Sequence, residues 1–287
     1  MGRRVMIALA LVMALGFTTA HAQTRTGTLK KITDSGTLTI GYRENALPFS
    51  FTGSDGKPSG YSVDLCKEIA VAVSQDLNLP NLTVNWVPVT PDNRIDAVAN
   101  GTVDIECGST TASLSRQEKV DFTLMTFVDG ASLLIAEGSG LQSLTDLAGK
   151  RIGVVPGTTT ERAVADFLRT TNLSATVVPV KDHDEGLAAL QTSKIEAYAS
   201  DRTILIGLVL QARGTSRYAI VSDDLSYEPY GFMVRRDDSA FRFIANRTLA
   251  RIYRSGAIGQ LYAKWFGSLG KPTPALVLMY ALQGLPE

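Results

Sequence analysis

Two doubly wound α/β lobes joined by a hinge of two chain segments are the fold this sequence predicts, and three observations predict it. Strand-like and helix-like stretches alternate along residues 38–106, the same alternation restarts at residue 151, and the length suits two lobes of ordinary size. Ahead of the first unit, the chain begins with the three-part pattern of a secretory signal over residues 1–22. Arg3 and Arg4 precede an apolar run over residues 5–17, and the small-residue site Ala20-His21-Ala22 comes before Gln23. That run is shorter than the roughly 20 apolar residues a permanent span needs, and no later stretch approaches that length.

In the first unit, Leu38-Thr39-Ile40-Gly41-Tyr42 reads as a strand, and Leu65, Ile69, Ala72 and Val73 then fall on one face of a helix ending near Leu77. Residues 82–89 form a second strand. A short helix over residues 94–99 is stopped by Gly101, and residues 103–106 form a third strand. The second unit repeats the order: strand 151–155, helix 160–168, strand 175–180, helix 184–191, strand 195–200. After Tyr227 come one more strand, residues 231–235, and two helices, residues 239–254 and 258–266, taken to return to the first lobe. The expected division is a first lobe of residues 23–124, a second of 125–229 and a return segment of 230–287. Its crossings, near residues 121–127 and 227–232, are suited to hinge closure. The tail after Gly267 is expected to lie over the first lobe. Strands separated by helices imply parallel sheets, right-handed crossovers and ligand sites beyond the carboxyl ends of the strands, so two facing lobes make a cleft.

Without residues 1–22 the chain keeps 26 basic and 28 acidic residues, a formal charge of −2, and has no basic run, which argues against a nucleic-acid partner. No cysteine stands at the new N-terminus to take a lipid, so the product is expected free in the periplasm and not lipid-anchored. The only cysteines, Cys66 and Cys107, are an even pair in an exported chain, and a disulfide is expected between them. Closing a loop of about 40 residues is worth roughly 4 kcal/mol in the chain-entropy model. Two cysteines without neighbouring histidines make a poor zinc site, so no metal is expected. Phosphate-loop, dinucleotide and His-Glu-x-x-His patterns are missing, and only the fragment Gly138-Ser139-Gly140 resembles a nucleophile elbow, so no cofactor is expected.

Two turns stand at matching places: Cys107-Gly108-Ser109-Thr110-Thr111 after the third strand, and Pro156-Gly157-Thr158-Thr159-Thr160 after the first strand of the second unit. Small, hydroxyl-rich turns present backbone N–H groups and hydroxyls to a carboxylate at a helix N-terminus. Ordinary capping competes with that reading, because Thr158 followed by Glu161 fits a capping box. Arg43, Arg94, Arg116 and Asp201 stand at turns or strand ends in the same neighbourhoods. Three forked cations and one carboxylate suit an amino acid with two carboxylates and an ammonium. His183, the only histidine beyond residue 21, lies between Asp182 and Asp184, acids that would favour its charged form.

Together, Gly41-Tyr42-Arg43-Glu44, Gly60-Tyr61-Ser62-Val63-Asp64-Leu65-Cys66, Asn93-Arg94-Ile95, Glu106-Cys107-Gly108-Ser109-Thr110-Thr111, Lys181-Asp182-His183 and Lys264-Trp265-Phe266-Gly267 resemble the periplasmic glutamate/aspartate-binding proteins of ABC importers. The likeness covers about residues 28–268, and the cysteine pair is specific to that subgroup. It implies the type II periplasmic binding fold, with two Rossmann-like lobes, and a monomer that delivers L-glutamate or L-aspartate to a membrane permease. It also implies that Arg116, helped by Ser109, Thr111 and Thr159, grips the α-carboxylate, that Asp201 holds the ammonium, and that Arg43, Arg94 and His183 meet the side-chain carboxylate. One position departs from the pattern: Pro91 stands where a hydroxyl is expected, three residues before Arg94. A neutral ligand such as glutamine would leave buried cations unpaired. A periplasmic dehydratase on the same fold would need a third group to orient a His183–Asp182 pair. A sensor module would be expected to carry a fused membrane segment or kinase.

Overall fold

The computed structural model describes residues 26–212 and 217–286, so the expected signal segment lies outside the described residues. The chain opens with α1 (Gly27–Ser35), β1 (Thr37–Tyr42) and three short strands, β2 (Asn45–Ala46), β3 (Ser50–Thr52) and β4 (Pro58–Ser59). There follow α2 (Tyr61–Leu77), β5 (Thr83–Pro88), α3 (Arg94–Ala99), β6 (Ile105–Glu106), α4 (Leu114–Gln117) and the ten-residue β7 (Val120–Asp129). The next stretch contains β8 (Ala131–Ala136), β9 (Arg151–Val154), α5 (Thr159–Thr171), β10 (Thr176–Pro179), α6 (His183–Gln191), β11 (Ala197–Asp201), α7 (Arg202–Gln211) and β12 (Tyr218–Ile220). Then come β13 (Glu228–Arg235), α8 (Ser239–Arg254), α9 (Ile258–Phe266) and α10 (Pro274–Gln283).

Two five-stranded sheets result, ordered β5-β1-β6-β13-β7 and β10-β9-β11-β8-β12. Each has, along one side, the three parallel strands that the alternation predicts: β1 pairs in parallel with β5 and β6, and β9 with β10 and β11. The expectation of wholly parallel sheets needs correction. β13 runs antiparallel to both β6 and β7, and β8 antiparallel to both β11 and β12. A parallel neighbour requires a crossover helix, and these strands reach their places without one. β7 passes into β8 through Gly130 alone, and β13 enters the first sheet from the far side after the excursion through the second.

Sequence pattern accounts for the helices. Along α8, Phe241, Ile244, Ala245, Thr248, Leu249 and Ile252 are buried at three- and four-residue spacing, and Asp238 caps it by accepting from the Phe241 amide. α2 buries Leu65, Ile69 and Val73 and stops at Asn78 in a left-handed conformation. α7 was not foreseen; its run Ile204-Leu205-Ile206 and Leu208-Val209-Leu210 is apolar on most of its circumference and carries no clear helical period.

β7 and β13 form the connection between the sheets. They pair from Arg235↔Val120 to Glu228↔Asp129, with register shifts around Gly231 that bend the ribbon. Phe127 and Tyr230, facing partners on this ribbon, stack at 6.2 Å and pack with Phe49, Tyr61 and Phe266 into one aromatic cluster. α10 lies against β7 and α8, where Tyr280 and Tyr61 hydroxyls meet at 2.7 Å and Gln283 accepts from the Met125 amide. The expected disulfide is present. Cys66 and Cys107 are fully buried and join the second turn of α2 to the loop leaving β6, 41 residues apart.

Candidate functional site

Apart from Arg116, which α4 carries, the candidate side chains follow the carboxyl ends of parallel strands. Arg43 follows β1, Arg94 opens α3 after β5, and Ser109, Thr110 and Thr111 leave β6. From the other side, Thr158 and Thr159 follow β9, His183 opens α6 after β10, and Asp201 ends β11. Between them is a narrow space, partly continuous with solvent, lined by Arg43, Arg94, Ser109, Thr111, Thr158, Thr159, His183 and Asp201 among others. Thr110 and Arg116 are not in that lining.

One end of the space is cationic. Arg43, Arg94, Arg116 and His183 are each less than 5% exposed. Burial, reinforced by Arg94, pulls the Arg43 guanidinium down to about 10, and burial with Arg94 and Arg162 pulls Arg116 down to about 9. Both stay charged at neutral pH. His183 does not: burial first, then Arg43 and Arg94, hold its imidazole down at about 3. Its expected charged form is therefore corrected to the neutral one, because burial, with the two guanidiniums beside the ring, disfavours the imidazolium. Nor does Asp182 orient the ring; its carboxylate accepts from the Glu185 amide and caps α6, while His183 Nδ1 lies 2.7 Å from the Tyr198 hydroxyl.

Behind the cations stands a carboxylate that sequence reasoning quoted but did not assign. Glu106, fully buried at the end of β6, accepts from Thr110 Oγ1 at 2.7 Å, and Thr110 accepts in turn from Arg94 Nη1 at 2.7 Å. Among the described residues, Nε of Arg94, Nε of Arg116 and Oε1 of Glu106 are buried without a hydrogen-bond partner. This end has donors to offer.

The other end is anionic and better satisfied. Asp201 accepts from Tyr230 and, at 3.1 Å, from Thr160; burial, then Glu228 and Asp129, push its carboxyl up to about 7. Glu228, 1% exposed on β13, accepts hydroxyl hydrogen bonds from Thr111, Ser226 and, at 2.7 Å, Thr159. Glu228, Tyr230, Thr160 and Tyr198 were not read as site residues. Thr160 was quoted within the hydroxyl-rich turn without a role; for the other three the sequence signal is a polar atom on a strand otherwise buried, and that becomes visible once long-range pairing is known.

The two lobes touch across the cleft. Thr111 and Thr159 hydroxyl oxygens are 3.2 Å apart, and Arg116 donates from Nη1 to the Thr111 carbonyl at 2.9 Å and from Nη2 to the Gly157 carbonyl at 3.4 Å. Pro91, the departure noted above, belongs to this seam: a Cβ on Gly157 would lie 3.4 Å from its carbonyl and 2.7 Å from Asp92 Oδ1. Thr158 caps α5, accepting from the Glu161 amide and donating to the Val155 carbonyl. Glu161 reaches back to the Gly157 amide and not to Thr158, so the capping box is displaced by one residue.

Comparison with known proteins now has a geometry to rest on. Residues 38–268 match the family of bacterial extracellular solute-binding proteins, family 3. Over 262 residues, 91% of this chain and 87% of the relative, the sequence is 38% identical to the L-glutamate/L-aspartate-binding protein of Pseudomonas aeruginosa. It is 35% identical over 260 residues to the glutamate/aspartate import solute-binding protein of Salmonella typhimurium, covering 89% of this chain and 86% of that one. Among solved structures, an ancestral amino acid-binding protein, a precursor of cyclohexadienyl dehydratase, superposes with a TM-score of 0.73 at 28% identity, covering 84% of this chain and all of that chain.

Proposed function

We propose, on the premise that this chain belongs to the family-3 bacterial extracellular solute-binding proteins, that it captures glutamate or aspartate in the interlobe cleft and delivers it to an ABC importer. The single observation that carries this reading is the opposite sign of the two ends of one cavity: Arg43, Arg94 and His183 at one, Asp201 at the other. A free amino acid with an acidic side chain complements both ends at once. Relatives named as glutamate/aspartate-binding proteins support the ligand class.

In this reading the lobes of residues 23–124 with 230–287, and 125–229, close on the ligand. The side-chain carboxylate meets Arg43, Arg94 and the neutral His183. Asp201 takes the ammonium. Arg116 and the α5 N-terminus take the α-carboxylate, with Ser109 beside them, while Thr111 and Thr159 turn hydroxyls now donated to Glu228 toward it. Desolvation offsets much of the charge-assisted bonding, leaving a net of about −8 kcal/mol, or micromolar affinity. This is binding without turnover: the His183–Asp182 pair that a dehydratase reading needs is replaced by a His183–Tyr198 contact. An exported, unanchored monomer in the periplasm, meeting a membrane permease and no nucleic acid, completes the proposal. No helix among the described residues is long and apolar enough to cross a membrane.

Calorimetric titration of ligand-stripped protein with glutamate, aspartate, glutamine and asparagine tests it. Preference for the two acids is expected. Tighter binding of an amide, or no binding of any of the four, overturns the assignment.

A further inference from the structure

We propose that Tyr198 is a positioning residue that sets selectivity for acid over amide side chains: its phenol donates to His183 Nδ1 and so fixes Nε2–H as a donor facing the cavity. The proposal rests on the reading above, in which Arg43, Arg94 and His183 receive the ligand's side chain. His183 lines the cavity, its Nδ1 is 2.7 Å from the Tyr198 hydroxyl, and its Nε2 has no hydrogen-bond partner among the described residues.

The direction of that hydrogen bond follows from where the phenol proton can go. Tyr198 is fully buried on β11, and the one hydrogen bond its hydroxyl makes among the described residues is to His183 Nδ1. Its own proton then has one acceptor among the described residues, Nδ1. If Nδ1 carried a proton, a buried O–H would be left unpaired, an arrangement that costs about 1–3 kcal/mol. Ionising the phenol is no escape, since burial raises it far above its ordinary value. Protonating both ring nitrogens is opposed by burial and by Arg43 and Arg94, which face the ring from β1 and α3. Asp182 is turned away into the α6 cap. Gly186, one turn along α6, admits the Tyr198 ring: a Cβ there would lie 2.3 Å from it, so the two side chains are held in register by packing as well.

Of the groups lining that end of the cavity, the two guanidiniums and the one N–H are donors, and the Glu106 carboxylate stands behind them outside the lining. A carboxylate brings acceptors only and suits all three. An amide must point its NH₂ at one of them, and it could be relieved only if Nε2 exposed a lone pair, which is the tautomer Tyr198 disfavours.

Two measurements test this. Long-range ¹H–¹⁵N spectra of the full chain carrying His21→Ala, in which His183 is the sole imidazole, are expected to show a bare Nδ1 and a protonated Nε2 at pH 7. Tyr198→Phe is expected to mix the tautomers and to lower the glutamate-to-glutamine affinity ratio by about tenfold, the worth of one buried hydrogen bond. A protonated Nδ1 in the wild-type spectrum overturns the proposal, and so does an unchanged affinity ratio in Tyr198→Phe. The spectrum needs neither ligand nor a change at Tyr198, so it decides the tautomer even if Tyr198→Phe fails to fold. Should the wild-type protein bind neither acid, the selectivity claim falls together with the function, whereas the tautomer stands or falls on the spectrum alone.

Discussion

The two ends of the cavity differ less in charge count than in how their charges are satisfied. At the anionic end, Asp201 and Glu228 accept between them from five hydroxyls, those of Thr111, Thr159, Thr160, Ser226 and Tyr230. At the cationic end, Nε of Arg94 and one oxygen of the Glu106 carboxylate behind it are buried with no partner among the described residues. One end is solvated in advance by protein hydroxyls; the other holds donors in reserve for an acceptor that arrives. Buried unpaired donors are costly, and a ligand that supplies the acceptors recovers that cost as affinity.

The contrast can be broken most forcefully by removing a charge that answers the ligand directly. Asp201→Ala and Arg116→Ala are each expected to lower affinity about 1,000-fold, since truncating one partner of a buried pair costs roughly 3–5 kcal/mol. Circular dichroism should show the fold retained; near-normal affinity in either variant contradicts the assigned roles. His183→Ala is expected to weaken the dicarboxylates about tenfold and a neutral amino acid less, because one neutral N–H donor is lost from the cationic end. Equal losses for both ligand classes would make His183 structural.

The pH dependence sharpens the comparison, because the ends titrate in separate ranges. Burial and Glu228 hold the Asp201 carboxyl at about 7, while His183 is held at about 3. The folded, ligand-free protein therefore keeps a proton that an unfolded Asp releases near pH 4, so the contribution of Asp201 to stability falls as pH rises from about 4 to about 7, while His183, held neutral by the fold, contributes the opposite trend between about 3 and 6.5. An arriving ammonium favours ionised Asp201 and displaces that proton. Affinity should rise from pH 5 to pH 7, by less than tenfold per unit, and level off above. Titrations in buffers of different ionisation enthalpy at pH 6 should register proton release, and an affinity flat across this range would show that Asp201 does not meet the ammonium.

The smallest effect concerns the seam. Gly207 lies inside α7, and a Cβ there would sit 2.8 Å from the Leu47 carbonyl oxygen of the other lobe. Gly207→Ala should raise ligand-free stability by about 0.5–1 kcal/mol through helix propensity, yet lower affinity several-fold by holding the lobes apart. A loss of stability without a change in affinity would place the glycine's role in folding instead.

Much of this architecture was legible in the sequence. Apolar runs at strand spacing, and Leu65, Ile69 and Val73 at helical spacing, are local signals, and they located the parallel core of both sheets. The same logic brought Arg43, Arg94, Ser109, Thr111, His183 and Asp201 together, because residues just beyond parallel strands converge on one crevice. The antiparallel ribbon of β7 and β13 was not legible, since its partners are about 100 residues apart and no turn joins them. Glu106 and Glu228 were passed over for a related reason: an acidic residue in a short strand looks the same in sequence whether it faces water or a buried threonine. The neutral state of His183 was misread because its sequence neighbours are acids, whereas in space the ring is buried and its charged neighbours are Arg43 and Arg94.

The Cys66–Cys107 bond closes immediately before Gly108, so the covalent link and the loop bearing Ser109, Thr110 and Thr111 share an anchor point. The receptor therefore matures with its surroundings. With the two thiols reduced, that loop is held only by non-covalent packing, and oxidation fixes it to α2. The geometry of the hydroxyl turn is thereby tied to the redox state of one cysteine pair.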